Sequence, residues 1–171
     1  PLDERVCAVA RSIGADVPFF LSPRAALYAG AGDVLERALP CPEVPAVLVM
    51  PRAEGGSTPE AYAEFDRSPV APRDPVRIVA ALLAGDVREV AACLSNNLAP
   101  AARALCPEAG EVEAWLRGRP GVLAAQVTGS GTCSFALCES VSAADAAASD
   151  AAARGWRSWS TKVLGSGTEV C

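Results

Sequence analysis

The stretch VLAAQVTGSGTCSFALC, residues 122–138, decides the fold. Val122 to Val127 is apolar and strand-like, TGSGT (128–132) is a glycine turn, and Cys133 to Cys138 reads as a second strand returning beside the first. Beyond it, Ala143 to Arg154 is helical until Gly155 stops it, and Trp156 to Leu164 makes a last strand. Ahead of it, a helix spans Glu111 to Arg117 and ends before Gly118 and Pro120. Helical periodicity also marks Pro75 to Leu83 and, after the Gly85-Asp86 turn, Val87 to Leu94.

Further upstream, STPEAYAEFD predicts a helix from about residue 59 to 66. Ser57 with Glu60 forms a capping box there, and Thr58 ahead of Pro59 is an equally good cap. Ala46 to Met50 (AVLVM) is a fully apolar strand. The order strand, helices, strand, turn, strand, helix, strand predicts an α+β sandwich, with helices covering one face of a mainly antiparallel sheet. Pro40 to Pro45 resists helix and strand alike, because proline lacks an amide donor and restricts its predecessor, so it marks a domain boundary. Before that boundary, Val17 to Leu21, Ala25 to Ala29 and Val34 to Leu39 read as short strands, the last two joined by the turn Gly30-Ala31-Gly32-Asp33. Residues 3–12 read as a helix with Val6, Val9 and Ala10 on one face.

Composition bounds the chemistry. At 171 residues, 51% apolar and 20% charged, the chain is an ordinary globular protein with a sizeable core. A net charge of -5 without a basic block argues against nucleic-acid binding, and the lack of a run of roughly 20 apolar residues excludes a membrane-spanning helix. The start at Pro1 carries neither an initiator Met nor a signal sequence and reads as the middle of a longer protein. Seven cysteines without a CxxC pair, and no histidine, exclude a Cys/His zinc site and a Ser-His-Asp triad. The thiols read as reduced, cytoplasmic and mostly small core residues. Acid–base work must then fall to Asp or Glu, or to Lys162, the only lysine.

Two features carry chemistry. The TGSGT turn offers amides with no side chain in the way, so a phosphate could approach them; taken alone it also reads as a plain hairpin. No GxxxxGK[ST] pattern is present, which excludes a P-loop. In IGADVPFF (13–20), Asp16 sits in a run otherwise made of glycine, proline and apolar residues. A buried, unpaired carboxylate is costly, so Asp16 is solvated, bonded to neighbouring amides at the end of the first helix, or used.

IGADVPFF followed by ALYAGAGDVLERAL, STPEAYAEFD, LSNNLAP and VTGSGTCSFALCES resembles the later part of the 4-diphosphocytidyl-2-C-methyl-D-erythritol kinases, a family of the GHMP kinase superfamily. The likeness runs from about residue 1 to about 164, with GADVPFF and the TGSGT hairpin as its specific parts; NNL stands where the family shows NDL. It implies an ATP-dependent, Mg2+-using phosphotransferase acting on the 2-hydroxyl of a cytidine diphosphate-linked polyol in isoprenoid biosynthesis. Asp16 would be the catalytic carboxylate, at the lip of a cleft between two lobes. Gly129, Ser130, Gly131 and Thr132 would lie beside the phosphates, and Tyr62, with Pro59 beside it, would wall the cytosine pocket.

The family's glycine- and serine-rich phosphate loop and the lysine that partners the aspartate should precede GADVPFF, and neither is present. Lys162 is at the wrong end of the chain for that role. Residues 1–42 therefore read as the tail of the N-terminal kinase domain and 43–171 as the C-terminal one, inactive alone and able to associate with the missing part. Two other readings remain: a non-catalytic interaction module, or a GHMP kinase for homoserine, mevalonate or a sugar. An aromatic at Tyr62 favours a cytidine substrate over these acceptors.

Overall fold

The computed structural model describes residues 4–14, 16–21, 23–30, 32 and 34–165. Its N-terminal elements are helix α1 (Glu4–Ile13), the short helix α2 (Val17–Phe20) and an antiparallel pair, β1 (Ala26–Ala29) and β2 (Val34–Ala38). The strand expected over Val17 to Leu21 is thus a helical turn. Asp16 occupies its N-cap position and Pro18 its first turn, where a fixed φ suits a helix and the missing N–H costs nothing. Between β1 and β2, Gly30 and Gly32 take positive φ; Ala31 and Asp33 of the predicted turn, like Cys171 and residue 3 of the first helix, lie outside the described residues.

The remaining elements are β3 (Val44–Met50), α3 (Thr58–Arg67), α4 (Val76–Ala84), α5 (Val87–Cys93), α6 (Ala99–Leu105), α7 (Pro107–Arg117), β4 (Val122–Val127), β5 (Ser134–Cys138), α8 (Val141–Ala153) and β6 (Arg157–Val163). Four strands form one antiparallel sheet in the order β4-β5-β3-β6. β3 begins at Val44, inside the segment expected to resist strand structure. Pro45 is tolerated because β3 pairs there with β6 alone, Pro45 opposite Lys162, and pairing with β5 starts only at Ala46.

Strand alternation sorts the side chains onto two faces. Val47 and Val49 of β3, Ala125 of β4 and Ala136 and Cys138 of β5 meet Val112 and Leu116 of α7 and Ala144, Ala147 and Ala151 of α8. The three alanines recur at helical spacing and let α8 lie close on the sheet, so that Val47 and Val49 are wholly buried, each worth about 1.5–3 kcal/mol. Trp115 and Trp156 close this core edge to face, ring centres 5.3 Å apart. The opposite face is covered too: Val44, Ala46 and Leu137 pack on Ala91 of α5, with Val87 and Leu94 beside them. One covered face was expected; helices lie on both.

α6 was not foreseen, and α7 begins a turn earlier than Glu111. Pro100 and Pro107 each stand in the first turn of their helix, where proline is harmless. Both helices are joined by Glu113, 1% exposed, which accepts from Arg103 Nε (3.0 Å) and Nη2 (2.8 Å) and from the Arg117 guanidinium. Among the described cysteines all six are free thiols, with Cys106 and Cys138 buried and the other four half-buried rather than in the core.

Candidate functional site

The glycine turn between β4 and β5 is held from several sides. The side-chain amide of Asn96 donates to the carbonyls of Val127 (3.0 Å) and Gly129 (2.8 Å), while its Oδ1 accepts from the Leu98 amide (2.9 Å). Within the turn, Gly131 N–H donates to Thr128 O and Thr128 N–H to Cys133 O. Gly131 has φ +95°, and a Cβ there would lie 2.9 Å from Ala102 Cβ, so α6 packs directly on its backbone. On another side, a Cβ on Gly55 would lie 2.0 Å from Thr132 Cγ2, which brings the loop after β3 against the turn. Gly129, at φ +54°, faces open space. Among the described residues, nothing accepts from the amides of Gly129, Ser130 and Thr132. Three fixed, unspent N–H groups beside open space can receive an anion.

The start of α3 adjoins this turn. The capping alternatives resolve in favour of Ser57: its Oγ accepts from the Glu60 amide, and Glu60 Oε2 accepts from Ser57 N–H (2.7 Å) and Oγ (2.8 Å). These bonds hold the Glu60 carboxyl below the usual carboxylate range. Because Ser57 caps, the Thr58 hydroxyl is free to share a hydrogen bond with the Ser130 hydroxyl (3.1 Å). Tyr62 stands one turn beyond Thr58 on the same side of α3, its side chain exposed, and Pro59 is exposed beside it. The loop leading to α3 is fixed by Glu108, which accepts from Ala53 N–H (2.7 Å) and Trp156 Nε1 (2.8 Å); those two bonds lower its pKa, with the Arg52 guanidinium 3.8 Å away adding to the effect.

Asp16 is exposed at the start of α2. Its side chain makes no cap bond and no hydrogen bond or ion pair with any described residue. No such bond joins it to the glycine turn or to α3 either. Lys162 pairs with Glu43 (2.6 Å) at the β6 end of the sheet. The structure thus brings together Gly129, Ser130, Gly131, Thr132 and the helix bearing Pro59 and Tyr62. Asn96 and the second use of Thr58 escaped the sequence reading; LSNNLAP was the signal, but nothing in its spacing says which asparagine reaches the turn.

Residues 78–157 match the family described as GHMP kinases C terminal. A protein of Pelotomaculum thermopropionicum named 4-diphosphocytidyl-2-C-methyl-D-erythritol kinase is 40% identical over 131 residues, 75% of this chain and 45% of that protein. A Nocardia farcinica protein of the same name is 40% identical over 161 residues, 89% of this chain and 50% of that protein. The chain spans about half the length of the curated relatives it matches. A crystal structure of 4-(cytidine 5'-diphospho)-2C-methyl-D-erythritol kinase superposes with a TM-score of 0.74 at 36% identity, covering 97% of this chain and 58% of that one. Leishmania major mevalonate kinase shares the fold, with a TM-score of 0.62 at 20% identity over 84% of this chain and 49% of that one. This chain belongs to the GHMP kinases, and residues 78–157 are its match to their C-terminal domain.

Proposed function

We propose that the chain is the later part of an ATP-dependent kinase that phosphorylates the 2-hydroxyl of 4-(cytidine 5'-diphospho)-2-C-methyl-D-erythritol. In this reading residues 1–42 finish the N-terminal domain and 43–171 form the C-terminal one; β1 and β2 pair with each other, whereas β3 enters the four-stranded sheet. The observation that carries it is the Thr58–Ser130 bond, which ties the helix bearing Tyr62 to a glycine turn with unspent amides. An aromatic wall for a planar base and an anion cradle for phosphates are thereby held at one place.

The turn fits phosphate, because the amides of Gly129, Ser130 and Thr132 donate without a side chain intervening at either glycine. Among the described residues no group of three Asp, Glu, Cys or His side chains gathers as a metal cage. Protein ligands for the Mg2+ that accompanies ATP are therefore expected outside this chain. Asp16, exposed and without a partner among the described residues, is suited to accept the proton of an attacking hydroxyl, which needs only hydrogen-bond reach to that group. Phosphoryl transfer relies mostly on positioning and charge stabilisation, so this chain's share is the base wall, the amide cradle and the carboxylate.

The test is phosphotransfer from ATP by this chain and by the longer protein that also carries the upstream region, with the cytidine diphosphate-linked acceptor, homoserine and mevalonate compared. Transfer to the first acceptor by the longer protein alone is expected. Preference for another acceptor would overturn the substrate, and turnover by this chain alone would overturn the reading of it as an incomplete catalyst.

A further inference from the structure

Beside the Asn96 segment lies a cavity of about 190 Å³ lined by Arg73, Ser95, Asn96, Asn97, Arg103 and Gln126 together with apolar residues. Gln126 is 8% exposed. It alternates with Ala125 and shares a sheet face with Ala124, the face on which Leu94 packs, and Leu94 also lines the cavity. Its side-chain amide has no hydrogen-bond partner among the described residues. The residue is largely buried while its amide opens onto the cavity, where it is placed to bind whatever occupies it.

The other polar groups select the occupant. Arg103 spends Nε and Nη2 on Glu113, which fixes the guanidinium and leaves Nη1 without an acceptor among the described residues. Arg73 has no ion pair among the described residues; the carboxylate next to it, Asp74, is taken by the Val76 amide (2.9 Å). The Asn97 side chain also lacks a described partner. Among the described residues no carboxylate lines the cavity. The Arg73 guanidinium, the free edge of Arg103, whose charge is offset by Glu113, and two unspent amides make a donor-rich site. Its volume is below the roughly 300–1,000 Å³ of pockets for whole drug-sized ligands, so it suits a small group.

We infer that this cavity is an anion subsite for a phosphate or diphosphate group, floored by Gln126 and walled by Arg103 and Arg73. A phosphate takes hydrogen bonds from several directions at once, which matches donors converging from β4, α6 and the loop after α3. Asn96 lines the same cavity and holds the Gly129 carbonyl, so cavity and glycine turn share one side chain.

The experiment is a 1H–15N NMR titration of this chain with inorganic phosphate, inorganic diphosphate, cytidine diphosphate and acetate, ionic strength held constant with chloride. Saturable shifts of the Gln126 and Asn97 side-chain amides are expected for phosphate or diphosphate. Arg73→Ala and Gln126→Leu should each weaken binding at least tenfold, about 1.4 kcal/mol. Arg73 is exposed, so its variant decides the matter even if Gln126→Leu misfolds. Cytidine diphosphate matching diphosphate would identify a nucleotide tail as the source, and diphosphate alone a free anion; either supports the subsite. Acetate binding equally well, unchanged affinity in Arg73→Ala, or the absence of saturation would overturn it. Shifts confined to Gly129, Ser130 and Thr132 would also overturn it while leaving the kinase reading intact, and a subsite that fills in a protein without phosphotransfer would separate the two the other way.

Discussion

Asn96 donates to Gly129 O at 2.8 Å from the far side of the β4–β5 turn, so a segment between two helices sets the shape of a loop more than thirty positions away, |i−j| = 33. Asn96→Ala removes this bond and the one to Val127. A cost of about 1 kcal/mol follows from leaving the part-buried Val127 carbonyl short of a donor, the Gly129 carbonyl being exposed to water. Asn96→Asp should cost as much, because a carboxylate keeps the bond from Leu98 N–H but cannot donate. Thermal melts and hydrogen exchange at the Gly131 amide check this; exchange at Gly131 that stays as slow in both variants as in the parent contradicts it.

The two glycines of the turn differ in what an added methyl would meet. At Gly131 it meets Ala102 at 2.9 Å in a backbone with φ +95°, whereas at Gly129 it meets nothing within 4 Å. Gly129→Ala should therefore cost about 1–2 kcal/mol, the penalty of the left-handed region alone. Gly131→Ala adds a clash with α6 and should cost at least 1 kcal/mol more. Urea unfolding of the two variants compares them; equal midpoints would mean that α6 does not press on the turn.

How legible this arrangement was depends on the range of the interaction. The β4–turn–β5 hairpin and the α8 helix are local patterns, each readable from one short stretch, whereas the cap of α3 stayed open between Ser57 and Thr58. α6 escaped because Pro100 signals a break to a local reading, although proline is harmless in a first turn. Val17 to Leu21 looked like a strand because an apolar run that short does not reveal its period. The Thr58–Ser130 and Asn96–Gly129 bonds join distant segments, and no spacing rule reaches them. For Asp16 the sequence raised the right question, why a carboxylate stands there, and its exposure without a partner among the described residues suits a solvated role and a catalytic one alike.

Glu113 predicts an asymmetric response to charge removal. It is 1% exposed and faces two guanidiniums, whose side chains are 39% and 52% exposed. Glu113→Ala leaves both cations without their partner in a partly desolvated place and should cost about 2–4 kcal/mol, lessened by the water each guanidinium can reach. Arg117→Ala leaves the carboxylate paired bidentately with Arg103 and should cost clearly less. Chemical denaturation of both variants tests the ordering; Arg117→Ala proving the more damaging would refute it.

Acid should weaken the chain at the loop after β3. Hydrogen bonds from Ala53 and Trp156 lower the Glu108 pKa in the folded chain, and those from Ser57 lower that of Glu60. The unfolded chain then binds more protons than the folded one below roughly pH 4.3, so stability rises with pH through that window. The contribution is complete above the ordinary glutamate pKa and is lost as pH falls through the lowered folded values. Glu108→Gln should flatten the slope of stability against pH, measured by urea melts between neutral pH and pH 3 with Trp fluorescence as the signal. A slope equal to that of the parent would exclude Glu108 from the effect.

Asp16 separates folding from chemistry. Its side chain is exposed and makes no bond to a described residue, so Asp16→Asn, which keeps the shape and removes the charge, should leave the melting temperature within error. If the carboxylate takes the proton of the attacking hydroxyl, the same change in the longer protein should lower kcat by about 10²–10⁴ with little change in KM, because an amide cannot act as the base yet occupies the same space. Tyr62→Ala, which removes the proposed stacking wall, should instead act mainly through KM for the cytidine-bearing substrate, by about 5- to 150-fold if stacking is worth 1–3 kcal/mol as in nucleic-acid complexes. Steady-state kinetics on the two variants give opposite signatures under this scheme. A kcat near the parent value in Asp16→Asn would move the proton to water or to a group upstream and leave Asp16 a solvated helix-start residue.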